Sequence, residues 1–198
     1  PLIFVDSNTL YLGHSCVTTD LEDSVIRALE YFLDHGHKEI GLLVGQEETA
    51  DATPLQMDPR QRTFQQFLTE KGLYEERFVS VGQFSTESGY QMMEQLIQAL
   101  GDNLPTAFFM ASDALAVGAL RSLQEHQIAV PDRVSLISFN DTSIAKYVFP
   151  ALSTVTVYTE EMGKQAIQML RQAFQGSQPS VPYMVKLATK LTIRDSSR

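Results

Sequence analysis

The chain has 198 residues, of which 43% are apolar and 20% are charged, and its formal net charge is −9. This length and composition fit one compact domain or two small lobes, and they exclude a disordered or collagen-like chain. The apolar runs are far shorter than the ~20 residues that a membrane-spanning helix needs. The 15 basic residues are scattered, which argues against a nucleic-acid-binding surface on this chain.

The cysteine content and the first residues indicate the compartment of the protein and its relation to a longer chain. Cys16 is the only cysteine, so an internal disulfide is excluded and a reducing, cytoplasmic compartment is favoured. The sequence begins with Pro1 and an apolar run at 2–5, without an initiator Met or the pattern of a signal peptide. We therefore expect it to be part of a longer cytoplasmic protein.

Short apolar runs alternate along the chain with longer amphipathic stretches. The runs are nearly continuous in apolar residues, as expected of strands that are covered on both faces. We predict strands at 2–5, 40–44, 78–81, 107–110, 134–139 and 154–157.

The amphipathic stretches between these runs carry residues typical of helix ends. Asp58 with Pro59 suits an N-cap and the first helical position, and Gly36 suits a left-handed position after a helix. We predict helices that begin at Asp20, Asp58, Ser85, Ser112 or Asp113, and Thr159. The alternation predicts an α/β fold with doubly wound parallel sheets and right-handed crossovers.

Searches for catalytic and metal-binding patterns give no positive signal. The glycine-rich phosphate loops, the H-E-x-x-H pattern and the C-x-x-C pattern are absent from the sequence. Residues 13–17 partly match a nucleophile elbow, but the closing glycine is missing, and we interpret them as a loop. His35 and His37 flank a helix-ending glycine and indicate a surface turn. The sequence therefore predicts no enzyme activity, no cofactor and no metal.

Polar residues follow the carboxyl ends of three predicted strands: Asp6, Ser112 with Asp113, and Asn140 with Asp141. In a doubly wound sheet these strand ends share one edge, where ligands bind. Carboxylate and carboxamide groups hydrogen-bond adjacent hydroxyls in pairs. The alternative is structural, because Ser112, Asp113 and Asp141 could each cap a helix.

Two further candidates lie near the same edge. Arg60 follows the long irregular segment 45–57, a predicted ligand loop, and a guanidinium also pairs with adjacent hydroxyls. Phe84 precedes a helix and could cover the apolar face of a sugar. Alternatively, Arg60 is a solvated helix residue and Phe84 belongs to the core.

An ordered set of motifs resembles the effector-binding core of the LacI/GalR family of bacterial transcription repressors. Their order and spacing hold from Val5 to about Arg194. The motifs are Phe4-Val5-Asp6, residues 36–41 leading to Gly45, Arg60 with Phe64 and Leu68, and residues 84–90, 105–113, 116–120, 130–131, 135–141, 150–155 and 162–163.

The resemblance implies a two-lobed fold like that of periplasmic sugar-binding proteins, with the effector between the lobes and the amino-terminal lobe incomplete. It assigns residues 1–17 to the remnant of that lobe and residues 18–152 to the carboxy-terminal, effector-binding lobe. Residues 153–198 would be the return segment to the amino-terminal lobe and the tail.

The resemblance also implies the ligand contacts. The sugar-contacting positions of the family correspond to Asp6, Arg60, Phe84, Ser112 and Asn140, with Asp141 close behind. Ser112 and Asn140 differ from the residues that many relatives carry there, although both can hydrogen-bond. The variant at 135–141, with 149–155, looks most like repressors of galactose and β-galactosidase operons, which favours a galactoside effector.

The function implied is that of a sugar-sensing domain in a repressor that binds operator DNA through a helix-turn-helix outside this sequence. A homodimer is expected through residues 85–95, 114–125 and 144–149, where Ala116, Gly118 and Ala119 would allow close approach. Alternatively, these small residues pack on the sheet of their own chain. The alternatives are a periplasmic-type sugar receptor of a transport system and, with no motif in its favour, an enzyme on a doubly wound sheet.

Overall fold

A computed structural model describes residues 1–46 and 57–198 of the chain. It contains two compact units, one formed by residues 1–20 and 157–190 and the other by residues 21–156 and 191–198. Residues 47–56, which belong to the predicted ligand loop, lie outside the described residues. In the described part, no helix has the length and apolar character needed to cross a bilayer.

Nine strands and six α-helices form most of the regular structure of the described residues. The strands are β1 (Ile3–Val5), β2 (Ser15–Thr19), β3 (Ile40–Gly45), β4 (Val79–Gly82), β5 (Ala107–Met110), β6 (Ser135–Asn140), β7 (Ser153–Thr156), β8 (Met184–Leu187) and β9 (Lys190–Thr192). The helices are α1 (Leu21–Asp34), α2 (Pro59–Glu70), α3 (Thr86–Leu100), α4 (Asp113–Glu125), α5 (Ile144–Tyr147) and α6 (Thr159–Phe174).

The larger unit is built on a six-stranded sheet in the order β4-β3-β5-β6-β7-β9. The pairs β3–β4, β3–β5, β5–β6 and β6–β7 are parallel. Every residue of β3 and β5 is buried, which explains why these strands are continuously apolar in the sequence. The predicted α/β fold with parallel sheets is confirmed.

The smaller unit has a parallel three-stranded sheet in the order β1-β2-β8, with α6 packed on it. Val17 of β2 is buried against Met162, Ala166 and Met169. The loop predicted at 13–17 is therefore wrong for residues 15–17, which form the central strand of this sheet. The strand was missed because its sequence, Ser-Cys-Val-Thr-Thr, is mostly polar, although Thr19 is also buried.

The two units differ in their bounds from the segments expected from the resemblance. Strand β7 and residues 191–198 lie in the larger unit, whereas the sequence assigned them to the return segment and the tail. The reason is hydrogen bonding, because Ser196 Oγ accepts from Ser153 N at 2.8 Å and donates to Leu136 O at 2.7 Å. The lobe boundaries of the intact protein stay a prediction.

Helices α3 and α4 pack against each other so closely that glycine is required at the contact. A Cβ built at Gly118 would lie 2.6 Å from Tyr90 N and closer still to Thr86 O. Ala116, Gly118 and Ala119 are all buried within the single chain. The prediction that these three small residues face a second subunit is therefore wrong, since α3 already covers Gly118.

Candidate ligand site at the carboxyl edge of the larger sheet

Arg60 is held in a fixed position beside the end of β5. Asp58 caps α2, and its carboxylate forms two bonds with the Arg60 side chain, Nε to Oδ1 at 2.9 Å and Nη2 to Oδ2 at 2.7 Å. Arg60 Nη1 donates to Ala111 O at 2.7 Å. The side chain is only 14% exposed. Arg60 is thus a preorganised guanidinium rather than a solvated helix residue.

Two aromatic rings lie beside this guanidinium. The Cζ atom of Arg60 is 4.8 Å from the ring centroid of Phe84 and 5.3 Å from that of Phe139. A Cβ at Gly45 would overlap the Phe84 ring, so the glycine at the end of β3 makes room for it. Phe84 is half-buried, and the cation and ring faces together form a surface suited to a polar ring compound.

Ser112 caps α4 and lies directly after the Arg60-bound carbonyl. Its Oγ accepts from Leu115 N at 3.3 Å, and the residue is 7% exposed. The N-cap interpretation is therefore confirmed. The hydroxyl proton is given to no acceptor among the described residues, so it is available to a ligand.

Asn140 and Asp141 share an unusual backbone conformation but differ in their side-chain surroundings. Their φ angles are 108° and 57°, both in a region that L-residues rarely adopt. The Asn140 carboxamide makes no hydrogen bond with any described residue. Asp141 is paired instead, with Arg194 Nη2 at 2.7 Å and Thr156 Oγ1 at 2.9 Å. Asn140 is thus free to bind, whereas Asp141 is occupied.

Asp113 is fully buried and does not cap α4. Its carboxylate accepts four hydrogen bonds, from the hydroxyls of Ser138, Thr142 and Thr154 and from the Thr142 amide. These donors lie on β6, on β7 and in the segment after β6, so the carboxylate connects three parts of the sheet edge.

Asp6 lies in the smaller unit, directly after β1. It is exposed, its φ angle is 62°, and its amide donates to Val17 O at 2.9 Å. The structure thus brings together Arg60, Phe84, Ser112 and Asn140 at one edge of the larger sheet, and it places Asp6 at the end of a strand in the other unit.

Three participants were missed by sequence reasoning: Asp58, Phe139 and Arg194. Asp58 was recognised as a cap, and its position two residues before Arg60 was a usable signal for the ion pair. Phe139 ends an apolar run and gave no sign of facing Arg60. Arg194 is 53 residues from its partner Asp141, a distance in sequence that no local pattern spans.

The chemistry available at this edge is that of binding. It offers a carboxamide without a hydrogen-bond partner among the described residues, a hydroxyl whose proton is given to no described acceptor, and a fixed guanidinium beside an aromatic ring, which suit a ligand rich in hydroxyl groups. In the described residues, no group of three His, Cys, Asp or Glu side chains could hold a metal ion.

Comparison with known proteins identifies the family of this chain. Residues 29–197 match the family model of the periplasmic binding protein-like domain. The GalR transcriptional regulator of Streptococcus thermophilus is 51% identical over 197 residues, which cover 100% of this chain and 59% of that protein. The chain belongs to the LacI/GalR family. The predicted resemblance is confirmed.

Further relatives extend the match in sequence and in structure. The GalR regulator of Lacticaseibacillus casei is 38% identical and also matches over 59% of its length. The solved complex of the transcriptional regulator CelR with cellobiose superposes with a TM-score of 0.85 at 26% identity, covering 99% of this chain and 58% of that one. This LacI/GalR chain therefore spans about 59% of the length of these curated relatives, which are regulators rather than enzymes.

Proposed function

We propose that this chain is the sugar-sensing and dimerisation part of a cytoplasmic transcriptional repressor whose affinity for operator DNA changes when the sugar binds. The observation that carries the proposal is the fixed Arg60 guanidinium. It is positioned by Asp58 and Ala111. Among the described residues the nearby Asn140 carboxamide has no partner, and the Ser112 hydroxyl, which accepts from Leu115 N, keeps its proton for a ligand. The named relatives are regulators, which favours a repressor over a transport receptor.

A sugar suits these groups because its hydroxyls lie in adjacent pairs. A planar guanidinium and a carboxamide each present two groups at the spacing of such a pair, and a ring face packs on an aromatic side chain. CelR, a structural relative, was solved with cellobiose. We propose a galactoside for this chain, on the pattern at 135–141 and on its 51% identity to a GalR regulator.

Operator binding would use the helix-turn-helix that the names of the curated relatives describe. The present chain is unsuited to contact DNA itself, since it carries 24 acidic and 15 basic residues. A sugar can alter operator affinity only if it binds two arrangements of the protein with different strength.

Dimerisation would use an apolar cluster around α5. Ile144, Tyr147 and Phe149 are exposed in the single chain, Tyr147 to 83% and Phe149 to 85%. Two aromatic side chains with this exposure in a short segment are typical of a surface that a partner covers. The dimer face expected at 144–149 therefore stays proposed, whereas the small residues of α4 are buried within the single chain.

The test is calorimetric titration and thermal shift with D-galactose, lactose, cellobiose, D-glucose and D-ribose. A sugar at ~100 times its dissociation constant should stabilise the protein by about 2.7 kcal/mol. Arg60→Ala should abolish this shift. Arg77→Ala is the matched control, because Arg77 is an exposed arginine that also pairs with a carboxylate, that of Glu75, and contacts a phenylalanine.

The possible outcomes separate the parts of the proposal. A galactoside that binds wild type and Arg77→Ala, but not Arg60→Ala, supports the proposed ligand and the proposed site. Binding of a different sugar with the same Arg60 dependence keeps the sensor and replaces the galactoside. Binding that survives Arg60→Ala contradicts the proposed site.

A further inference from the structure

We propose that Asp113 is a positioning residue whose buried carboxylate holds the turn at 140–142 in the conformation that presents Asn140 to the ligand. This inference rests on the proposed function for its ligand, and on the hydrogen bonds of the turn for its mechanism. Asp113 is 1% exposed, so it acts through the turn rather than by contact with the ligand.

The Asp113 carboxylate bonds the turn and the two strands beside it. Oδ2 accepts from Thr142 N at 2.6 Å and from Thr142 Oγ1 at 2.8 Å. Oδ1 accepts from Ser138 Oγ at 2.5 Å and from Thr154 Oγ1 at 3.0 Å. The same anion therefore fixes the end of β6, the middle of β7 and the residue two positions after Asn140.

A second bond links this network to the middle of the turn. Asp141 N donates to Thr154 Oγ1 at 3.3 Å, while that hydroxyl donates its own proton to Asp113. The amide protons of both Asp141 and Thr142 thus depend on the Asp113 carboxylate, one through a hydroxyl and the other directly.

The turn needs such support because its backbone is unfavourable. Asn140 and Asp141 adopt φ angles of 108° and 57° in succession, and residues in such conformations persist only where their surroundings impose them. If the turn relaxed, the Asn140 side chain would leave the edge where Arg60 and Ser112 lie.

Helix capping does not explain Asp113. Ser112 already caps α4, because its Oγ accepts from the amide of Leu115, the third residue of the helix. Burying a carboxylate is unfavourable unless hydrogen bonds replace its water, and no cation among the described residues pairs with Asp113. Its four donors supply that replacement, and three of them come from the turn and from Thr154, which bonds the turn.

The first test measures the turn without any sugar. Amide hydrogen exchange at Asp141 and Thr142 is compared in wild type, in Asp113→Asn and in the milder Thr142→Val, which removes one bond. Since a hydrogen bond to a charged group is lost, exchange at these amides in Asp113→Asn should accelerate about tenfold or more. Leu29→Ala, a cavity variant in the buried face of α1, is the control for general destabilisation.

The second test asks whether Asp113 acts through Asn140. D-galactose affinity is measured by NMR titration in a double-mutant cycle of Asp113→Asn and Asn140→Ala. Asp113→Asn should weaken binding about tenfold when Asn140 is present and much less when it is replaced. A merely structural residue would weaken binding equally in both backgrounds, and this result would overturn the proposal.

The two measurements also distinguish this inference from the proposed function. If wild type binds neither D-galactose nor lactose, the galactoside is wrong, and the exchange data still decide the role of Asp113. Unchanged exchange at Asp141 and Thr142 in Asp113→Asn overturns that role, whatever sugar the protein binds. Selective acceleration there, absent from Leu29→Ala, supports it.

Discussion

Replacing Gly118 by alanine should destabilise the larger unit, because the backbones of α3 and α4 are in contact at this residue. The added Cβ would lie 2.6 Å from Tyr90 N and closer to Thr86 O, and backbone atoms cannot rotate away as a side chain can. The helices must therefore separate. Overpacking of this kind costs ~1–3 kcal/mol, and we expect a value at the upper end.

The intrinsic helix preference of alanine offsets part of this cost. It favours alanine over glycine by about 1 kcal/mol, which leaves a net loss of about 2 kcal/mol from a cost of about 3. For a chain of this size, such a loss lowers Tm by about 4–8 °C. Thermal unfolding followed by circular dichroism measures it directly.

The matched control is Gly163→Ala in α6. Outside the backbone of α6 itself, no atom of the described residues lies within 4 Å of a Cβ at Gly163, so the helix preference dominates there. This substitution should stabilise the protein by about 1 kcal/mol and raise the Tm of the transition that includes α6 by about 2–4 °C. If Gly118→Ala unfolds at the wild-type temperature, the close packing of α3 and α4 is refuted.

Two other predictions concern the surface. Tyr147→Glu should shift the proposed dimer toward monomer in sedimentation velocity. Tyr11→Glu changes another highly exposed tyrosine and should leave the mass of the dimer unchanged. A dimer that survives Tyr147→Glu would contradict the α5 interface. The hydrogen bond that Tyr90 donates to the Glu125 carboxylate, with burial adding to it, raises the pKa of the Tyr90 phenol. The resulting stabilisation is present below the unfolded pKa of about 10 and is lost as pH rises through the folded pKa. Urea unfolding at increasing alkaline pH should therefore show a decline in the free energy of unfolding that Tyr90→Phe lacks.

The sequence predicted six of the nine strands, β1 and β3 to β7, within one residue at each end. The signal was strongest for the buried strands β3, β5 and β6, because continuous apolar character marks a covered parallel strand. Strands β8 and β9 were missed because each is short and contains a lysine. Their pairing is also non-local, so the order of strands in each sheet could not be predicted from local patterns.

The candidate site shows the same limit. The caps formed by Asp58 and Ser85 were predicted correctly, and the start of α4 was placed at Ser112 or Asp113, since a cap is a local signal. Which of two neighbouring residues caps the helix and which is buried in the sheet edge could not be predicted. Whether Ser112 or Asp113 caps α4 depends on whether donors from β6 and β7 approach the carboxylate, and those donors lie 25 or more residues away.

The return of residues 191–198 to the larger unit affects how the protein folds while it is being translated. A nascent chain emerges in sequence order, so residues 157–190 of the smaller unit must be made before the larger unit receives its last strand, β9. Until then β7 is an unpaired edge, and the backbone of Leu136 lacks the bonds that Ser196 provides. The larger unit therefore cannot complete its folding during translation of its own main segment, and exposure of that edge to other nascent chains is longest while the smaller unit is being made.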